Sequence, residues 1–116
     1  MGKQDCLFCK IINKEIPAKV VLEDSGMVAF EDVNPQAPVH ILIIPKEHIE
    51  KISDLSARHL EMVGRLVLAA KEIAKKRGIE ESGYRIVMNC NRDAGQAVFH
   101  LHLHLLGGRK FSWPPG

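Results

Sequence analysis

The sequence predicts an α+β domain: a five-stranded, mostly antiparallel sheet with one long and one short helix. Three observations carry that expectation. Short β-branched and apolar runs are separated by turn-forming residues, the stretch from Ser56 to Arg77 shifts to a helical period, and His100 to Leu105 alternates strictly between histidine and leucine. A chain of 116 residues has room for a single domain, here read as residues 1–116 with no linker, internal repeat or low-complexity segment.

Taken in order, Cys6 to Ile12 is apolar at helical spacing and precedes Pro17, which predicts a short helix with Asp5 near its N-terminus, where a carboxylate suits the dipole. Val20 to Glu23 and Met27 to Phe30 read as strands joined by Asp24-Ser25-Gly26, a hairpin connection. Asn34-Pro35-Gln36-Ala37-Pro38 is a loop, because each proline removes a donor and pushes its predecessor toward extended geometry. His40 to Ile44 reads as a buried central strand stopped by Pro45. In the long helix Leu60, Val63, Val67, Ala70 and Ala74 form one stripe, with Leu66, Ala69 and Ile73 beside it; Ser56 suits the N-cap and Gly78 the C′ position. Lys75, Lys76 and Arg77 answer the helix dipole. Tyr84 to Met88 and Leu101 to Leu106 are the last strands, and Met27, Met62 and Met88 read as core.

Composition excludes several function classes. A net charge of +2 without a long basic block argues against a nucleic-acid partner, and no apolar run approaches the roughly 20 residues that span a bilayer, which argues against a membrane partner. Met1 to Asp5 lacks the apolar segment of a secretory signal, and Cys6 stands where an N-myristoylation motif places Ser or Thr. With three cysteines, an odd number, this points to reduced thiols and a cytoplasmic setting, with Cys90 an unpaired loop thiol.

The chemistry concentrates at His100, His102 and His104. On a helix these rings would spread around the axis; on a strand they share one face about 6.6 Å apart, so a phosphate over the middle ring can be attacked by it and flanked by its neighbours. The intervening leucines then face the core. Cys6-x-x-Cys9 by itself fits a redox pair, half of a zinc site or two buried thiols.

The segment Gly95-Gln96-Ala97-Val98-Phe99-His100-Leu101-His102-Leu103-His104-Leu105-Leu106 resembles the signature of the histidine triad superfamily. Phe30-Glu31-Asp32, Pro35 to His40, Ile44 to Ile49 and the tail Gly107 to Gly116 resemble its Hint branch, the histidine triad nucleotide-binding proteins. The resemblance implies a HIT-like fold, a homodimer, and a purine nucleoside phosphoramidate hydrolase of the adenosine 5′-monophosphoramidase type acting on AMP- or GMP-like substrates. It implies His102 as nucleophile through a nucleotidyl-histidine intermediate, His100 and His104 beside that intermediate, and His40 supporting the rings. It further implies that Asn89, Gly95, Gln96 and Ala97 hold the phosphate and leaving group, that Asp32 binds ribose, and that Phe8, Ile11, Phe30 and Val33 form the purine slot. The tail, with Trp113, is implied to lie near the site. Bacterial members pair a similar Cys-x-x-Cys with two histidines, which here are His48 and His100, implying one structural zinc on Cys6, Cys9, His48 and His100 and no metal in catalysis. Ala97 departs from the branch, which commonly carries serine there. A nucleotide-binding regulatory or scaffold protein with incidental hydrolysis is the alternative reading.

Overall fold

The computed structural model describes residues 5–116; Met1 to Gln4, part of the segment read above for targeting signals, lie outside the described residues. Helix α1 (Leu7–Ile12) is followed by β1 (Val20–Glu23), β2 (Met27–Glu31), β3 (Val39–Pro45), helix α2 (Leu60–Lys76), β4 (Tyr84–Val87) and β5 (Leu103–Gly107). The sheet runs β1-β2-β3-β5-β4, and all four pairings are antiparallel. The β1–β2 hairpin turns on Asp24, whose Oδ1 accepts the N–H groups of Gly26 at 2.7 Å and Met27 at 2.9 Å. That is the Asx chemistry for which Asp is favoured in turns.

Period-two alternation divides the sheet into two faces. Ala29, Ile41, Ile43, Leu101, Leu103 and Leu105 join Leu66, Ala70 and Ile73 of α2 in one core. Val28, Phe30, Leu42 and Ile44 face the other way and pack with Phe8 and Ile11 of α1 in a second. His40 and the triad histidines occupy the remainder of that second face. All seven residues of β3 are buried, as expected for a strand paired on both edges and covered on both faces.

The elements differ from expectation at their ends. Asp5 lies just before α1 as expected, and the cap itself is Cys6, whose Sγ accepts the Cys9 N–H at 3.3 Å. Ser56 opens a 3₁₀ turn, Ala57–His59, that leads into α2, and its N–H donates to His59 Nδ1 at 2.9 Å. Of the two helical stripes, Leu66, Ala69, Ala70, Ile73 and Ala74 cover the sheet, whereas Leu60 and Val67 are exposed, as is Leu68 outside both stripes. Gly78, at φ +73°, ends α2 in the left-handed conformation expected of a C′ residue. Arg77, read as a solvated helix-end cation, pairs with Glu31 at 3.1 Å. Met27 is core, but Met62 and Met88 only pack partly buried against it.

Ile43 is fully buried at the centre of β3, between β2 and β5 and under α2. Ile43→Ala is expected to cost about 2–5 kcal/mol, read as a lower urea midpoint at unchanged slope.

Candidate active site

The leucines that alternate with the histidines anchor the site from behind, through Leu101, Leu103 and Leu105 in the core. The ladder itself begins only at Leu103, so His100 and His102 precede the strand rather than lie on it. Their segment is tied instead by the Leu101 N–H, which donates to the Ile49 carbonyl at 2.6 Å. One face is preserved: ring centroids of His102 and His104 are 4.9 Å apart, and Phe8 stands perpendicular to His102 with centroids 5.1 Å apart.

Backbone groups decide where each imidazole proton sits. His102 Nδ1 lies 2.7 Å from the His100 carbonyl, and a carbonyl can only accept, so Nδ1 carries the proton and Nε2 is bare. The Gln36 N–H donates to His40 Nδ1 at 3.0 Å, which places the His40 proton on Nε2. That nitrogen is 3.0 Å from His104 Nδ1, so His40 donates and His104 carries its own proton on Nε2. His100 Nε2 donates to the Pro45 carbonyl at 2.8 Å, leaving Nδ1 with a free lone pair. Burial favours the neutral form of all four rings. It lowers the pKa of His40 and His102, and it brings His100 and His104 down to about 4 with help from neighbouring histidines.

A cavity of about 410 Å³ opens over this face. It brings together Phe8, Ile11, Phe30, Asp32, Val33, Asn89, Gly95, Ala97, His102 and His104, ten of the residues expected from the sequence. Leu7, Ile16, Pro17, Ala18, Glu31, Leu42 and Val98 complete its wall; they carried no sequence signal beyond being apolar or next to a marked residue. Asp32 also stands 3.4 Å from His40 Nε2 and accepts the Asn34 N–H at 2.8 Å. Gly95, at φ +86°, lets the loop turn past the cavity in a conformation other residues resist.

Three expected residues stand elsewhere. His100 is fully buried and does not line the cavity; its ring is committed to Pro45 and to the cysteine side, and its carbonyl acts on the cavity only by holding His102. Gln96 is a loop clasp rather than a phosphate contact. Its Oε1 accepts the Asn91 N–H at 2.8 Å, and its Nε2 donates to the carbonyls of Glu50 at 2.7 Å and Val98 at 3.1 Å, so the amide has no hydrogen left to offer. Trp113 is 83% exposed and no residue of the tail lines its own chain's cavity; Arg109 and Arg85 instead hold the tail through Phe111 and Ser112.

Behind Phe8, the side chains of Cys6, Cys9, His48 and His100 converge, with all four ligand atoms within 4.8 Å of one another. A tetrahedral zinc, at about 2.3 Å from sulfur and about 2.0–2.1 Å from nitrogen, sets its ligands about 3.3 Å apart for N–N and about 3.5 Å for N–S. The structure has His48 Nδ1 to His100 Nδ1 at 3.3 Å, and sulfur–nitrogen separations of 3.3, 3.4 and 3.6 Å. The bare Nδ1 of His100, its other nitrogen held by Pro45, completes the fit. Asp32, His40 and His104 also lie close together, but the Gln36 N–H keeps the His40 proton on the nitrogen a metal would need.

A family model described as the HIT domain matches residues 13–111. The chain belongs to the HIT domain family. Among HIT relatives, the purine nucleoside phosphoramidase of Escherichia coli (strain K12) is 50% identical over 106 residues, 91% of this chain and 89% of its own length. The 14 kDa zinc-binding protein of Zea mays is 51% identical over 112 residues, 95% and 87% of the two chains. The crystal structure of a HIT family hydrolase from Legionella pneumophila Philadelphia 1 superposes with a TM-score of 0.95 at 53% identity, covering 97% of this chain and 100% of that one.

The neutral state of His104 has a thermodynamic consequence. Unfolded histidine titrates near 6.5 and His104 at about 4, so between those values the unfolded chain binds a proton the native chain refuses. Stability therefore falls as pH drops from about 6.5 toward 4. Denaturant titrations across that window are expected to give a shallower fall, by up to about one proton, in His104→Gln than in the wild type.

Proposed function

We propose that this HIT protein hydrolyses the phosphorus–nitrogen bond of purine nucleoside 5′-phosphoramidates, an adenosine 5′-monophosphoramidase type of activity on AMP- or GMP-like substrates. The observation that carries this reading is the 2.7 Å bond from His102 Nδ1 to the His100 carbonyl, which leaves a bare Nε2 on a neutral ring at the wall of the cavity. The name of the E. coli relative supports the same reaction.

The purine takes the apolar end between Phe8, Ile11, Phe30 and Val33, and the Asp32 carboxylate accepts the ribose hydroxyls. His102 Nε2 attacks phosphorus; the P–N bond breaks, and its electron pair leaves with the amine nitrogen, which takes up a proton from solvent. The resulting nucleotidyl-imidazolium keeps its Nδ1 proton on the His100 carbonyl. Water then forms a P–O bond and gives up a proton to solvent, the P–N bond to His102 breaks, and Nε2 recovers its lone pair. His104, with its proton on Nε2, donates to a phosphate oxygen as charge gathers there. Asn89 and the Gly95 turn enclose the phosphate from the loop side. With Ala97 where serine is common, no hydroxyl assists the departing nitrogen at that position.

The Cys6, Cys9, His48 and His100 cluster holds one structural zinc in this reading, a closed Cys₂His₂ set that ties α1, and with it Phe8 and Ile11, to the sheet. Catalysis does not pass through it. The exposed stripe of Leu60, Val67 and Leu68, with Tyr84 and Ile86 on the edge strand β4, forms a homodimer interface that brings each tail toward the partner's site. None of the three cysteines forms a disulfide among the described residues, which suits a cytoplasmic setting.

Three measurements test these statements. His102→Ala is expected to lower turnover of adenosine 5′-phosphoramidate by at least about a thousandfold while AMP still binds, and mass spectrometry of quenched wild-type reactions should find the nucleotidyl adduct on His102; full activity, or an adduct elsewhere, overturns the mechanism. Elemental analysis after mild purification should return about one zinc per chain, lost together with thermal stability under a strong chelator and bound less tightly below neutral pH. Sedimentation at micromolar concentration should give about 26 kDa, twice the 13.0 kDa chain.

A further inference from the structure

Beside the cavity lies a second hollow of about 150 Å³. Leu7, Ala97 and Val98 line both, so the two spaces share a boundary whose smallest member is the methyl group of Ala97. Phe99 closes the hollow, Asp5 contributes the one carboxylate among its described residues, and Cys6 and His48 back it. Zinc on the Cys₂His₂ set would be formally neutral, so Asp5 supplies the charge of this wall.

The place of the hollow follows from the direction of the reaction. An in-line displacement puts the leaving atom opposite the nucleophile. The apolar end of the cavity is taken by the purine and the Asp32 side by ribose, so a nitrogen leaving phosphorus away from His102 passes the loop of Asn89, Gly95 and Ala97. Only Ala97 of these three borders the hollow. We propose that the hollow is a leaving-group subsite, and that the amine it accepts carries an apolar body tipped by a cation. A volume of 150 Å³ is roughly five waters' worth of liquid, room for a short alkyl or small aryl group against Leu7, Val98 and Phe99, with the tip near Asp5. The bond changes are those already given: the P–N electron pair departs on the amine nitrogen, which gains a proton from solvent.

This inference rests on the phosphoramidate reading, and the test separates the two. Adenosine 5′-phosphoramidates are prepared with ammonia, phenethylamine, a phenethylamine bearing a distal ammonium, and one bearing a distal carboxylate. In the wild type, kcat/KM is expected to be about tenfold higher for phenethylamine than for ammonia after correction for amine basicity, and about three- to fivefold higher for the ammonium than for the carboxylate tip. Asp5→Asn should level the second ratio and Phe99→Ala shrink the first, with ammonia release unchanged in both. Equal ratios across the amines, or ratios indifferent to both variants, overturn the subsite. Titration of the same compounds into His102→Ala reads the hollow without turnover: affinities ranked by body and tip in a protein whose wild type hydrolyses none of them would keep the subsite and remove the hydrolase reading, whereas flat affinities remove the subsite.

Discussion

The bond from His102 Nδ1 to the His100 carbonyl joins the two chemistries of this molecule. One residue supplies a main-chain oxygen that fixes the proton of the neighbouring His102 ring, the proposed nucleophile, and a side chain that completes the cysteine–histidine cluster. Because the His100 ring is fully buried, with Nε2 on Pro45, its carbonyl cannot swing without breaking a buried hydrogen bond and leaving polar atoms unpaired. The tautomer of His102 thus inherits the rigidity of the core. The same logic extends through Gln36, His40 and His104, where one backbone N–H at a proline-rich loop sets two imidazoles in sequence.

Burying so many imidazoles would be costly if they were charged. The fold avoids that by keeping them neutral and giving ring nitrogens backbone partners, and it gives the opposite sheet face to apolar strand residues packed on Leu66, Ile73 and the alanines of α2. Small Ala69, Ala70 and Ala74 are buried where the helix covers that face, so β3 and β5 are backed by α2 behind the histidines. Helix α1 has only six residues, too few to be stable alone. Its order comes from Phe8 and Ile11 packed on the sheet and from Cys6 and Cys9 beside His48 and His100. The same short element therefore contributes both to the cysteine–histidine cluster and to the cavity wall.

What was legible in the sequence was periodic. The histidine–leucine alternation, the Asp24–Gly26 hairpin and the long helix each repeat a local rule; the hairpin lies where expected, while the last strand begins later, at Leu103, and the helix at Leu60 after a 3₁₀ turn. What was not legible depends on register. That Gln96 spends its amide on Asn91, Glu50 and Val98 follows from two distant loops meeting, and an amide in a polar loop looks the same whether it faces backbone or ligand. The retreat of His100 from the reacting end has the same origin: alternation puts three rings on one face but not at one depth, and the strand is formed only from Leu103. Cys6 as a helix cap was hidden because sulfur is an uncommon capping acceptor.

The position of the first histidine also separates roles that the motif runs together. A ring that both holds a metal and touches a reacting phosphate would need one free nitrogen for each, and His100 has neither to spare: Nε2 is on Pro45 and Nδ1 faces the cysteines. In the proposed reaction the phosphate is therefore left to His102 and His104, which line the cavity, one with a bare nitrogen and one with a proton to give. A nucleophile and a donor in adjacent same-face positions, each with its proton placed by a different part of the backbone, is what displacement at phosphorus requires of neutral side chains. Any change that frees the His100 carbonyl should disturb His102 first and His104 hardly at all, because the His104 proton is set from the Gln36 side of the sheet.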